Sequence, residues 1–229
     1  MSQQDKESRC LGLVGGLGPA TTVFYYRELV AAIERQGRVP RLLVAHADIN
    51  RVYAVVTAKD YDGLARYLAG LIDSMKAGGA ELTAIVAATP HIAARQLAAL
   101  SPLPLISMLT AVADTVRTQG LKRVALFGTR FTIETRMFGC LDGVDVIMPA
   151  PEVIERIHRL YTEVVGGRGT PAHIEEMRKL AQAFVRDGAQ AILIAGTDLS
   201  PLLADVKLDF PAIDCARVHI DAIVQRLIS

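Results

Sequence analysis

Two short stretches hold the residues with the most chemistry to offer. Thr89, Pro90 and His91 follow the apolar run Leu82 to Ala88, and Thr197 and Asp198 close a second run that begins at Ala191. His91 is an acid/base candidate because an imidazole ordinarily titrates near neutrality; its other possible role is to brace the strand end. Asp198 offers a carboxylate that acts as a base or only caps the helix after it. Asn50 and Arg51 follow a third run, Leu42 to Ala47. A guanidinium there either pairs bidentately with a carboxylate or stands on an exposed loop.

Two glycine turns add backbone chemistry. Gly15-Gly16-Leu17-Gly18-Pro19 and Gly128-Thr129-Arg130-Phe131-Thr132 each join a strand to a helix. Glycine permits the tight turn, proline suits a first helical turn, and a helix N-terminus attracts anions. Gly16 and Thr129 are therefore carboxylate-binding candidates, with a purely structural turn as the alternative at each glycine segment. Glu134 is expected to cap the helix after the second turn. The first turn is not GxGxxG and lacks an acidic residue at the ribose offset, which argues against a nucleotide-dependent oxidoreductase. His46 and Asp48 share one strand face, but no third ligand accompanies them, so no metal site is expected.

The elements that must position these residues alternate. Runs near Cys10–Gly15, Leu42–Ala47, Leu82–Ala88, Pro104–Ser107, Arg123–Phe127, Val144–Met148, Ala191–Ala195 and Ala212–Asp214 read as strands. Most lack polar alternation, as strands buried on both faces of a parallel sheet do. Helical patterns lie between them, near Ala20–Arg35, Asp62–Lys76, Ile92–Leu100, Ala111–Gln119, Ile133–Leu141, Pro151–Glu163, Pro171–Arg186 and Ala216–Leu227. The fold class is α/β, doubly wound.

An internal repeat divides the chain. LVGGLGPATTVFYY near the start and ALFGTRFTIETRMF near the middle both run strand, glycine turn, helix. Later in each half a Gly-Ala turn precedes an apolar strand that ends at Thr89 or Thr197. Two similar parallel-sheet lobes are expected, 1–108 with 215–229 and 109–214. Ligands in such sheets bind beyond the carboxyl ends of strands, which would place one site between facing lobes.

Composition narrows the partners. Apolar residues make up 51% and charged residues 21% of 229 residues, so the chain can bury cores rather than stay disordered. Formal net charge is +1, which offers no footprint for nucleic acid or an anionic membrane. No apolar run approaches a spanning length. The opening MSQQDKESRC is too polar for a signal peptide. Three scattered cysteines, with no CxxC pair, fit a reduced, cytoplasmic protein.

These motifs together resemble the aspartate/glutamate racemase family over essentially the whole chain. GGLGP with Tyr25 and Tyr26, FGTRFT, GAELTAIVAATPH, GAQAILIAGTDL and a closing Asp214 with His219 carry the resemblance. It implies two pseudo-symmetric lobes with the active-site cleft between them, a homodimer, and catalysis without a cofactor. It also implies that Thr89, Thr129 and Thr197 lie near the substrate and bind its carboxylate, and that two opposed thiols act, one removing and one delivering the α-proton. The family patterns Cys-Asn-Thr-x-His and Gly-Cys-Thr-Glu fall on Ala87-Ala88-Thr89-Pro90-His91 and Ala195-Gly196-Thr197-Asp198. Alanine and glycine cannot carry a proton, and one placed acid or base contributes about 10²–10⁴-fold. The resemblance therefore implies a small amino acid or dicarboxylate as ligand, with racemase-family isomerase chemistry by an altered mechanism, decarboxylation or isomerisation included. His91 or Asp198 would supply the proton, and Gly196 would enlarge the pocket. The alternative is a catalytically silent binder of small carboxylates.

Overall fold

The computed structural model describes residues 6–165 and 167–229. The first five residues of the polar opening segment lie outside the described residues.

The chain folds as two compact units, the described residues up to Ser107 with His219–Ser229, and Met108–Val218. In the first unit β1 (Lys6–Glu7) leads to β2 (Leu11–Gly15), α1 (Pro19–Glu34), β3 (Arg38–Val39) and β4 (Leu42–His46). Then come α2 (Ile49–Thr57), α3 (Tyr61–Ala77), β5 (Leu82–Ile85), a 3₁₀ turn over Thr89–Ala93 and α4 (Ala94–Leu100). Every residue of β2 and β5 is buried, as in a parallel sheet covered on both faces, and the one polar side chain among them, Thr83, donates to the Gly12 carbonyl at 3.0 Å. On α3 the buried positions Leu64, Leu68, Ile72 and Met75 form one stripe, and Met75 lies over the bare Cα of Gly12. Asp60 caps this helix by accepting from the Gly63 amide at 2.8 Å.

The second unit contains α5 (Met108–Thr118), β6 (Arg123–Phe127), α6 (Arg130–Glu134), β7 (Asp145–Val146) and α7 (Pro151–Val164). It continues through α8 (Pro171–Arg186), β8 (Ala191–Ile194), α9 (Leu199–Leu203), β9 (Ala212–Asp214) and α10 (Cys215–Ile228), whose later residues group with the first unit.

All strand pairs in both main sheets are parallel, in the orders β4-β2-β5 and β7-β6-β8-β9. The internal repeat is thus a topological one. In each unit the glycine-turn strand sits between an edge partner and the strand that runs toward threonine.

Three local readings change. Asn50 and Arg51 stand on the first turn of α2, not on a loop, because Asp48 caps that helix through both their amides at 2.8 and 3.3 Å. The segment at Pro104 is reduced to one bridge, between Thr83 and Leu105; proline lacks the N–H that a ladder needs. The helix expected over Ile133–Leu141 stops at Glu134. The Thr135 hydroxyl bonds the Phe131 carbonyl and accepts from the Phe138 amide, competing with helical bonding. Arg136, Met137, Phe138 and Gly139 follow in left-handed conformation, with φ of 50°, 56°, 58° and 73°. Burial of Met137 offsets part of this strain. Glu134 therefore ends α6 and does not cap it; Thr129 does, accepting from the Thr132 amide.

Left-handed backbone costs a side-chain-bearing residue roughly 1–2 kcal/mol, and glycine returns part of that through its freedom when unfolded. Replacing the exposed Arg136 by glycine is expected to raise stability by about 0.5–1 kcal/mol, read as a higher urea midpoint. A lower midpoint would mean that the Arg136 side chain makes a stabilising contact worth more than the strain.

Candidate functional site

In the first unit β2 and β5 run side by side, with Val14 paired to Ile85. The Gly15-Gly16 turn and the segment Ala87–His91 therefore leave the sheet at the same, carboxyl edge, where α/β sheets bind ligands. Gly16 has φ +83°, and a Cβ there would come within 2.7 Å of the His46 ring and 2.9 Å of the Ala47 carbonyl. Its amide donates to the Thr22 hydroxyl at 2.9 Å, which in turn donates to the Gly18 carbonyl at 3.0 Å. The Gly16 N–H is thus already committed within the turn. Thr89 is half-buried and opens the 3₁₀ turn that carries His91.

His91 is 2% exposed, and its Nδ1 lies 2.9 Å from the Ala87 carbonyl. A carbonyl only accepts, so Nδ1 carries the proton and Nε2 keeps a bare lone pair. That Nε2 is buried with no hydrogen-bond partner among the described residues. Burial lowers the His91 pKa to about 4, against the opposing effect of hydrogen bonds to the Ala87 and Ala88 backbone. At neutral pH Nε2 can take a proton but has none to give.

The His91 ring meets His219 edge-on, with centroids 6.2 Å apart. His219 is fully buried. Its Nε2–H donates to the Ile106 carbonyl at 2.9 Å, so its Nδ1 accepts from the Tyr25 hydroxyl at 3.1 Å. Burial, and then the neighbouring His91, push its pKa down to about 3. Tyr25 and His219 were legible only as motif letters; their union with His91 needed the fold.

On α2, Asn50 and Arg51 are exposed. The Arg51 guanidinium lies 4.2 Å over the Tyr67 ring, whose hydroxyl accepts from the Asp48 amide at 2.7 Å. This cation–π contact orients the guanidinium without burying it.

In the second unit Phe127 pairs with Ile194, and the Phe127 carbonyl accepts from both Ala195 and Gly196 at 2.7 and 2.9 Å. Thr129 is buried; its hydroxyl caps α6 and lies 2.9 Å from that of Thr132, so it is already used within the turn. Thr197 and Asp198 are buried at the end of β8. Asp198 makes no side-chain bond to the α9 amides; its Oδ2 accepts from the Tyr161 hydroxyl at 2.9 Å.

Gly196 does not open a larger pocket. A Cβ there would stand 2.6 and 2.7 Å from Tyr161 ring carbons and 3.0 Å from the Gly128 Cα, so the tyrosine already occupies that space. Sequence reasoning passed over Tyr161. Its one signal is a hydroxyl-bearing ring on the buried α7 stripe of Ile154, Ile157 and Val164.

A family model for Asp/Glu/Hydantoin racemases matches residues 14–223. The chain belongs to that racemase family. Among solved structures, a candidate Asp/Glu racemase from Yersinia pestis is 25% identical, with TM-score 0.84 over 96% of this chain and 100% of its own. An aspartate racemase homologue from Pyrococcus horikoshii OT3 is 20% identical, with TM-score 0.80 over 96% and 100%. The glutamate racemase of Francisella tularensis, solved in complex with D-glutamate, is 15% identical, with TM-score 0.62 over 96% and 81%.

Cys10 sits at the amino end of β2, a strand's length from the carboxyl edge, and burial raises its pKa. Burial likewise pushes the Cys140 thiol up to about 11 and the Cys215 thiol well above its ordinary value. None is a thiolate at neutral pH. Among the described residues no group of three or more His, Cys, Asp or Glu is placed to hold a metal ion, and no helix is long and apolar enough to cross a membrane.

Proposed function

We propose that this chain is an isomerase-type enzyme of the racemase family that binds a small amino acid or dicarboxylate and acts on it without two opposed thiols. The observation that carries the reading is the buried phenol–carboxylate pair, Tyr161 to Asp198, at a strand end whose glycine has no room for a side chain. A carboxylate buried beside a donor is a group able to take and return a proton. Family membership supports the reaction class, and the raised thiol pKa values support a mechanism that does not use cysteine.

On this reading Asp198 is the acid/base group and His91 at most a proton acceptor. The segments of Gly16, Thr89, Thr129 and Thr197 shape the binding of the ligand's carboxylate. Asn50 and Arg51 offer it an exposed amide and a guanidinium held by Tyr67. The resemblance adds a cofactor-free homodimer, and the scattered cysteines a reduced, cytoplasmic setting.

Proton NMR in D₂O tests the reading, with both enantiomers of aspartate and glutamate, maleate and substituted malonates as the panel. Deuterium at an α-carbon, a change of alkene geometry or loss of a malonate is expected for one compound. Asp198→Ala should slow that change by about 10²-fold or more. If every compound stays unaltered while one raises the melting temperature, the protein is a silent carboxylate binder and the enzymatic reading is wrong.

A further inference from the structure

The end of β8 holds a construction whose parts explain one another. Tyr161 is 7% exposed and Asp198 6% exposed, so neither polar tip can rely on bulk water. A buried phenol needs a partner, and a buried carboxylate is costly without a donor; the 2.9 Å hydrogen bond gives the phenol its acceptor and Oδ2 of the carboxylate a donor. The ring reaches that position only by lying against the bare Cα of Gly196. Any side chain at 196 would overlap ring carbons at 2.6 and 2.7 Å, far inside contact distance. Gly128 leaves the other flank clear, since a Cβ there would crowd the Gly196 amide at 3.1 Å. Asp198 meanwhile ignores the helix behind it: it precedes α9 yet makes no side-chain cap. Its carboxylate is turned toward Tyr161 instead of the α9 amides, the commoner destination for an aspartate at that position.

We propose that Tyr161 is the positioning residue for Asp198, and that Gly196 is glycine because it makes the room Tyr161 needs. This rests on the reading of Asp198 as the acid/base group. It carries that reading further: the residue at 196 and the tyrosine on α7 are a matched pair, and neither is exchangeable alone. A side chain restored at 196 expels the ring and with it the donor that orients the carboxylate.

The test combines unfolding temperatures with a pH profile. Gly196→Ala should lower the melting temperature by about 5 °C or more in the native background. In a Tyr161→Ala background, where the ring is gone, the same change should cost less than about 2 °C. Equal losses in both backgrounds would overturn the room-making role. Tyr161→Phe keeps the ring and should stay folded, with a melting temperature lowered by about 2–8 °C because Asp198 loses this donor.

That phenylalanine variant decides the positioning role. For whichever compound of the NMR panel the native protein converts or binds, its pH midpoint should shift by about one unit and its rate or affinity fall about tenfold or more. A residue that only packs would leave the midpoint in place, so an unshifted profile overturns the proposal. If the native protein neither converts nor binds any compound of the panel, the functional reading itself falls, while the melting temperatures still decide the pairing of Gly196 with Tyr161.

Discussion

Lowering the pH from 7 to 5 is expected to remove about 4 kcal/mol of folding stability through two histidines alone. In the folded chain burial holds His91 at a pKa of about 4 and His219 at about 3. Each titrates near 6.5 once unfolded. Between those values the unfolded chain binds two protons that the folded chain refuses, so stability falls as pH falls. The contribution is whole above pH 6.5 and is lost progressively toward pH 4 and then 3. The slope in that window is about 1.4 kcal/mol per pH unit for each group, about 2.7 together. A total stability of roughly 5–15 kcal/mol cannot absorb that for long, and acid unfolding should begin before either ring is protonated in place.

Other groups bend the curve at its lower end. Asp214 is raised by burial, so its folded form holds a proton more tightly and adds stability as pH drops through the carboxylate range. Glu81 and Glu176 are lowered by a backbone amide and by Arg156 respectively, with the opposite sign, but water screens both. Urea titrations at pH 7, 6 and 5 measure the slope. His219→Asn should start from a lower stability and halve the slope, because one of the two refused protons is gone. A native slope under about 0.5 kcal/mol per pH unit would show that the pair is not held neutral.

How far the sequence spoke varied with the physics behind each element. Helix α8 and strands β6 and β9 have the limits that periodicity and apolar runs predicted, Pro171–Arg186, Arg123–Phe127 and Ala212–Asp214. Such runs state their own burial. Helix α2 was unread because INRVYAVVT is rich in β-branched residues that favour strands; the Asp48 cap and burial of Val52 and Val56 override that preference. The left-handed turn at 136–139 depends on a threonine bonding to backbone, which no periodicity records. The site divides the same way. Thr89, Thr197, His91 and Asp198 were visible as polar residues ending apolar strands. Tyr161 was not, because what matters about it is a ring meeting a glycine 35 positions away, a contact made by tertiary packing. Gly196 was misread for the same reason: a missing side chain looks like a hole until its neighbour is known.

Phe127→Ala is expected to cost about 3–5 kcal/mol, read as a lower urea midpoint with little change in slope against urea. Phe127 is among the largest side chains in the chain buried to this degree, and its ring meets Phe184 of α8 edge-on, with centroids 6.1 Å apart. The aromatic pair adds about 0.5–1.5 kcal/mol beyond the apolar area. Phe127→Leu keeps most of the volume and should cost less than about 1.5 kcal/mol. Similar losses for the two variants would mean that the aromatic pair, and not the filled volume, carries the stability. The same residue ties core to site. Its carbonyl holds the amides of Ala195 and Gly196, so the backbone against which Tyr161 lies is anchored by the residue whose ring fills the core. Loss of the ring should therefore loosen Gly196 and weaken the Tyr161–Asp198 bond. The alanine variant should accordingly lose affinity for any carboxylate the native protein binds, even at temperatures where it remains folded.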